Sequence, residues 1–235
     1  MSDDLDDLIR RVDPDRWLSS RFIGDAAKRA DVIAIYAYDH ELARAPKVAS
    51  NPLLGEIRLT WWREALDEIY DGRHVRHHPT AQALAEAVKR HDLPREPLEA
   101  MIDARYRELD AEPMTKDEAV AWAHATAGSA ALAGLEVMAP KFVEYSATAT
   151  GWATLWGMGQ LQLGRTVAAT AQAEFEAEFD LCLAEAATIE RKSVPPDAFP
   201  AVAHATLARA YRKGRVPGPL EKRLRLTIAV ARGSI

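Results

Sequence analysis

Apolar residues in this chain recur at helical spacing and almost nowhere alternate, which limits the fold to packed α-helices. Val32, Ile33, Tyr36, Ala37 and His40 to Leu42 fall at three- and four-residue intervals, as do Ile57, Trp61, Ala65 and Ile69. That spacing puts each set on one face of a helix. Breakers punctuate the pattern at Pro46, Asn51-Pro52, Asp71-Gly72, His78-Pro79, Leu93-Pro94, Pro113, Pro140 and Val194-Pro195-Pro196, as expected of helix ends. Asp71-Gly72 reads as a helix stop, and Thr115 with Glu118 reads as a capping box for the helix that follows. Ordinary helix lengths then predict an all-α bundle of about eight to ten helices. The expectation is one domain over residues 1–235, with 1–12 as an acidic lead-in. Helices around 30–43, 55–70, 118–135 and 146–163 should surround a common core or cavity.

Composition excludes several function classes. A hydrophobic content of 48% with 28% charged residues is that of a globular protein, not of a disordered one. A net charge of -5 gives no footprint for nucleic acid. The lone Cys182 cannot form an internal disulfide or a thiolate cluster and points to a reducing cytoplasm; a small buried hydrophobe is its expected role. The start, MSDDLDDLIRR, lacks the basic and apolar regions of a signal peptide. The uncharged stretch from Tyr145 to Gly164 is long enough to span a bilayer, but its Thr, Ser, Gln and Gly predict a helix buried in protein. The expected location is cytoplasmic, and peripheral contact with the inner membrane is compatible with it.

Other clusters read as structural. Asp3-Asp4-Leu5-Asp6-Asp7 suits a helix start through the macrodipole, and a terminus lacks the rigid shell a catalytic site needs. Glu174, Glu176, Glu178 and Asp180 read as a solvated helix surface. His74, His77 and His78 crowd into one loop without the supporting groups that metal-bound histidines require. Trp61, Trp152 and Trp156 read as core or cavity lining, and Glu41, Arg63 and Asp67 as members of salt bridges. No Ser-His-Asp or Cys-His pattern stands out. Trp61 and Trp62 are neighbours on one helix and diverge by about 100°, so one is expected in the core and the other at the rim of a groove or on an apolar patch.

The stretch Gly55-Glu56-Ile57-Arg58-Leu59-Thr60-Trp61-Trp62-Arg63-Glu64-Ala65-Leu66 with Tyr70 and Gly72 resembles the squalene/phytoene synthase family. So do Asp15-Arg16-Trp17 with Ser20, Tyr36-Ala37-Tyr38, His78-Pro79, Ile102-Asp103 through Leu109-Asp110, and Thr126-Ala127-Gly128. The resemblance implies an isoprenoid synthase fold. It also implies an aspartate cluster holding Mg²⁺ against a prenyl diphosphate, yet those positions carry Ala43, Arg44 and Lys47. Magnesium is held by carboxylates, phosphates and water, so these residues repel the metal, although two cations can attract a phosphate directly. The family's second site should follow Gly151-Trp152-Ala153, where Thr154 to Leu161 contains no carboxylate.

Asp39-His40-Glu41-Leu42-Ala43, Asp67-Glu68-Ile69-Tyr70, Ala87 to Leu93 and Ala198-Phe199-Pro200 resemble the subgroup of mitochondrial complex I assembly factors, which lack the aspartates. The resemblance implies a non-catalytic role in assembling respiratory complex I, with its subunits or intermediates as partners. The alternatives are isoprenoid or lipid binding in the retained cavity, with the Tyr145–Gly164 helix lining it, and prenyl transfer itself. Arg29, Tyr36, Arg44, Lys47, Arg63 and Trp156 are the candidate cavity or phosphate contacts. No catalytic residue, metal ligand or cofactor is expected.

Overall fold

Prolines and capping side chains set the helix boundaries. In the computed structural model, which describes residues 2–47, 51–140, 145–189 and 193–235, these form α1 (Ser2–Val12), α2 (Pro14–Ser20), α3 (Ala26–Lys47), α4 (Pro52–Tyr70), α5 (Pro79–His91) and α6 (Arg95–Tyr106). There follow α7 (Lys116–Ala123), α8 (Ser129–Met138), α9 (Ser146–Gly164), α10 (Gln172–Thr188), α11 (Ala208–Arg212) and α12 (Pro219–Arg232). Pro14, Pro52, Pro79 and Pro219 open their helices, where the missing N–H costs nothing. The side chain of Asp13 accepts from the Arg16 N–H and that of Asn51 from the Leu54 N–H. Thr115 and Glu118 form the expected capping box. After α4, Gly72 adopts a positive φ of 66°, a conformation glycine reaches without a Cβ penalty.

The fold is all-α, with more helices than expected because several are short, α2 and α11 most of all. Among the described residues the β content is one isolated bridge between Met114 and Val167. Pro46 does not break α3 but sits in its last turn.

Helix α3 is the central strut. Every residue from Asp31 through Asp39 is buried, because α1, α4, α5, α6 and α8 all pack against it. The spacing had suggested one apolar face; burial on all sides is the mark of a helix inside the core. Helix α4 also departs from expectation. Its buried stripe is Gly55, Leu59, Trp62 and Leu66 with Ala65, while Ile57 is exposed and Trp61 and Ile69 are half-buried. Both stripes fit helical spacing; packing against α3 and α6 selects the one carrying Leu59 and Leu66.

The acidic lead-in is a packed helix. Leu5 and Ile9 of α1 enter the core, and Asp6 accepts from Trp17 Nε1 at 3.1 Å while pairing with Arg29; the Asp3 side chain lies outside the described residues. Cys182 is half-buried, not fully so. On α10, Glu176 and Asp180 bind Arg212, so that run is only partly a solvated surface. Among the described residues, no helix is long and apolar enough to cross a membrane.

Helix α9 lies against a single π-turn, His124–Gly128, that joins α7 to α8. Small residues permit that approach. A Cβ on Gly157 would sit 3.1 Å from the Ala123 and Ala127 methyls, and one on Gly159 would sit 2.8 Å from Tyr211 Cβ. A Cβ on Gly151, in the same helix, would meet nothing within 4 Å. Gly151→Ala should therefore stabilise the protein by about 0.5–1 kcal/mol through helix propensity. Gly159→Ala should destabilise it by about 1–3 kcal/mol through overpacking. Denaturant titration of the two variants reads the opposite signs directly.

Candidate functional site

Where α2, α3, α6, α9 and α11 converge, a cleft of about 400 Å³ opens, lined by Asp13, Asp15, Arg16, Asp39, Arg105, Trp156 and others. Its charges reach it through local structure. Asp13 is present as the N-cap of α2, which places Arg16 one turn on. Asp39 ends the buried stretch of α3, and Arg105 lies in the last turn of α6.

These side chains neutralise one another. Arg16 Nε donates to the Asp13 carboxylate, and its Nη2 donates to Asp39 Oδ2 at 2.7 Å. Arg105 donates to Asp39 Oδ1 and to Glu108 Oε1, both at 2.6 Å. Glu108 also accepts from Trp122 Nε1 at 3.0 Å. The Arg16 guanidinium lies 4.8 Å from the Tyr36 ring centre and 5.0 Å from that of Trp156, and Arg105 lies 4.9 Å from Trp122. Such cation–π contacts strengthen when desolvated. A second cluster surrounds Asp15, which accepts from Lys222 Nζ at 2.6 Å, from Trp156 Nε1 at 3.1 Å and from the Tyr211 hydroxyl.

The electrostatics follow from burial and pairing. Burial alone would raise the Asp39 carboxyl, but Arg105 and Arg16 outweigh it and hold the group down to about 2. Arg16, despite its own desolvation, is raised by Asp13 and Asp39. Burial, aided by the neighbouring Asp15, pushes Asp13 up against the pull of Arg16. Burial also drives the Tyr211 hydroxyl up and His204, which faces Arg16, well down. His204 is thus a neutral ring packed edge-on against Trp156 at 5.1 Å.

The candidate contacts separate. Tyr36, Trp156 and Lys47 gather at or beside the cleft; Tyr36 also donates its hydroxyl to the Ala201 carbonyl at 3.1 Å. Arg29 is taken up by Asp6 and Arg63 by Asp103, both away from the cleft. Arg44 pairs with Glu41 at 2.9 Å and lines a different groove of about 300 Å³. That groove is also bordered by Ile57, Arg58, Trp61, Trp62 and His78. Trp62 is buried and Trp61 half-buried at its edge, and both rings pack on His78. The sequence reading missed Asp13, Arg105, Tyr211 and Lys222, whose bonds join residues as far apart as Asp15 and Lys222.

Magnesium does not fit this cleft. Each of its three aspartates already has a cationic partner. The buried side-chain atoms left without partners among these charges are N–H groups, Arg16 Nη1 and Arg105 Nε. The facing positions on α9 are Trp156, Gly157 and Gln160. Unfilled donors suit an anion or water, whereas a hard cation needs oxygen ligands. Among the described residues no three His, Cys, Asp or Glu side chains gather closely enough to hold a metal ion.

A family model described as squalene/phytoene synthase matches residues 9–161. Human and bovine "NADH dehydrogenase (ubiquinone) complex I, assembly factor 6" are each 33% identical over 104 residues, 44% of this chain and 31% of theirs. The mouse protein of that name is 30% identical over 136 residues, 57% of this chain and 40% of its own length. The chain thus matches well under half of these relatives. A dehydrosqualene synthase crystallised with a ligand superposes with a TM-score of 0.74 at 13% identity, over 98% of this chain and 95% of that one. The squalene synthase HpnC of Alicyclobacillus acidocaldarius gives 0.62 at 17% identity, over 99% and 94%. At these identities the structural matches establish the fold alone.

Asp39 is the keystone of the charge network, so Asp39→Asn, which takes from two buried arginines the carboxylate they share and leaves each with one acid on or next to its own helix, should cost about 3–5 kcal/mol. The acid limb has a definite sign. Because Asp39 is depressed in the folded state, its contribution of about 2 kcal/mol is complete above the usual carboxylate range and is lost as pH falls from about 4 to about 2. Urea titrations at several pH values should show that loss in the wild type and a flatter profile in Asp39→Asn.

Proposed function

The chain belongs to the squalene/phytoene synthase family, and on that premise we propose that it is a non-catalytic member acting in the assembly of respiratory complex I. The observation that carries this reading is the cleft itself. Ionising an allylic diphosphate calls for metal ions that neutralise the leaving group. Here the aspartates are consumed by Arg16, Arg105 and Lys222. Similarity to the assembly factors supplies the direction, and their names supply complex I.

In this reading the helical scaffold works through its surface, on the cytoplasmic side and in peripheral contact with the inner membrane. The segment from Asp39 to Tyr70 matters for partner binding or for holding the scaffold that binds, and its exposed face lies at the start of α4. Leu53, Leu54 and Ile57 are exposed at the start of α4, and Trp61 stands beside them at the groove edge. An apolar patch rimmed by Arg44, Arg58 and Glu41 has the composition of a protein-binding site. Isoprenoid binding has less support: the apolar groove along α9, bordered by Gly151, Leu155, Met158, Cys182 and Ile189, holds only about 200 Å³, below the usual range for ligand pockets, and the larger cleft, also bordered by α9, is lined by charged side chains.

Partner recovery, product formation, melting with Mg²⁺ and a deletion strain test the proposal. Trp61→Ala should leave the fold largely intact and lower recovery of complex I subunits or intermediates from native cells about tenfold or more, as loss of an aromatic anchor does. The purified protein should not convert farnesyl or geranylgeranyl diphosphate to a head-to-head product, and Mg²⁺ should not raise its melting temperature, since a ligand of the native state must stabilise it. Normal complex I in a deletion strain, or Mg²⁺-dependent diphosphate release at an enzymatic rate, would overturn the reading.

A further inference from the structure

The last helix is apolar on two opposite faces, and only one of them is covered. In α12, Leu226 and Ala229 are buried and Lys222 turns inward to Asp15. At about 100° per residue, Leu220, Leu224 and Ile228 fall on the other side. They are 80%, 61% and 40% exposed, and Val216 just before the helix is 60% exposed. Three large aliphatic side chains at four-residue spacing on a solvent face run against ordinary helix design.

The charge around this stripe is opposite to that of the whole molecule. The chain carries a net -5, yet between Arg209 and Arg232 there are eight Lys and Arg residues and one acid, Glu221; of the eight, Lys222 is taken up by Asp15 and Arg212 by Glu176 and Asp180. Glu221 is shared by Arg215 and Arg225, while Arg223 flanks one edge of the stripe and Arg232 the other. On the Arg223 side α12 abuts α2, where Trp17, Leu18, Arg21 and Phe22 complete a groove of about 290 Å³ with Arg223 and Thr227. Phe22 is exposed, and Arg21 lies 5.7 Å from the Trp17 ring centre.

We propose that the outer face of α12, together with this groove, docks onto an anionic lipid bilayer. A basic helix with leucines on its free face lies in the membrane interface, its apolar side chains below the headgroups and its cations at the phosphates. Trp17, beside Arg21, is of the kind that settles at headgroup depth. The apolar patch on α4 lacks this local excess of positive charge, so the two surfaces divide the work: α12 faces lipid and α4 remains free. The proposal rests on the peripheral-membrane element of the reading above and not on complex I.

The full chain, floated with vesicles, tests it. Binding should occur to phosphatidylcholine vesicles containing phosphatidylglycerol, not to phosphatidylcholine alone, and should weaken with salt. Leu220→Ser with Leu224→Ser should lower partitioning about tenfold or more without lowering the melting temperature, because both side chains are exposed. Arg223→Gln and Arg232→Gln should each lower it about fivefold, whereas Leu53→Ser with Ile57→Ser should leave it unchanged. If the wild type floats with neither vesicle, the peripheral location falls as well, with complex I assembly judged separately in the deletion strain. If it floats but the α12 variants float equally, or the α4 variant alone fails, the assignment to α12 falls. A lipid-free dimer dissolved by Leu224→Ser would make this face a contact between copies and would also overturn it.

Discussion

A single carboxylate, Asp39, holds two arginines from two other helices inside the protein, and the arrangement of the cleft depends on it. Arg16 of α2 and Arg105 of α6 each take one of its oxygens. With these ions nearly excluded from water, neither helix can shift without breaking a buried charge pair, which costs far more than forming it contributes. At the other end of the strut Asp31 ties α3 to one neighbour, binding His91 at 2.8 Å and the half-exposed Arg90, both of α5. Helix α3 is therefore fixed at both ends of its buried stretch by acids whose partners lie on different neighbours.

An ion network and a metal site make opposite demands on one cavity. A site for a divalent cation needs carboxylates held apart and left short of positive charge. Here Arg16 is sandwiched between Tyr36 and Trp156, and Lys222 enters from the far end of the chain to meet Asp15. The cavity's own side chains supply what an ion and substrate would otherwise bring. Such a cleft is suited to rigidity, because moving any of these helices breaks a buried charge pair.

Much of this was legible beforehand. Thr115 and Glu118 marked a helix start because capping is local chemistry, and Gly72 marked a stop for the same reason. The unequal burial of Trp61 and Trp62 followed from helix geometry, but the two rings do not diverge: they meet edge-on at 4.9 Å beside His78. The absence of carboxylates at positions 43, 44 and 47, and from Thr154 to Leu161, could be read directly. What periodicity could not decide was which of two acceptable stripes α4 buries, since that depends on α3 and α6. Nor could it find Arg105 or Lys222 as partners of acids on remote helices. One signal was available: Asp39 closes an uncharged run from Val32 to Tyr38, and a charge at the end of such a run needs a buried partner.

The bond from Lys222 to Asp15 has a consequence for how the molecule is made. Asp15 is buried near the start of the chain, and its cation arrives only with α12. Ser19 likewise waits for the Pro200 carbonyl, to which its hydroxyl donates at 2.6 Å. During synthesis the first three helices can form, with Arg16 already beside Asp13 and Asp39, but Asp15 lacks its cation until α12 has emerged. Closure at such sequence separation is slow relative to local helix formation. Until then the bundle is open at one seam, and the helix that closes it carries Leu220, Leu224 and Ile228 on its far side.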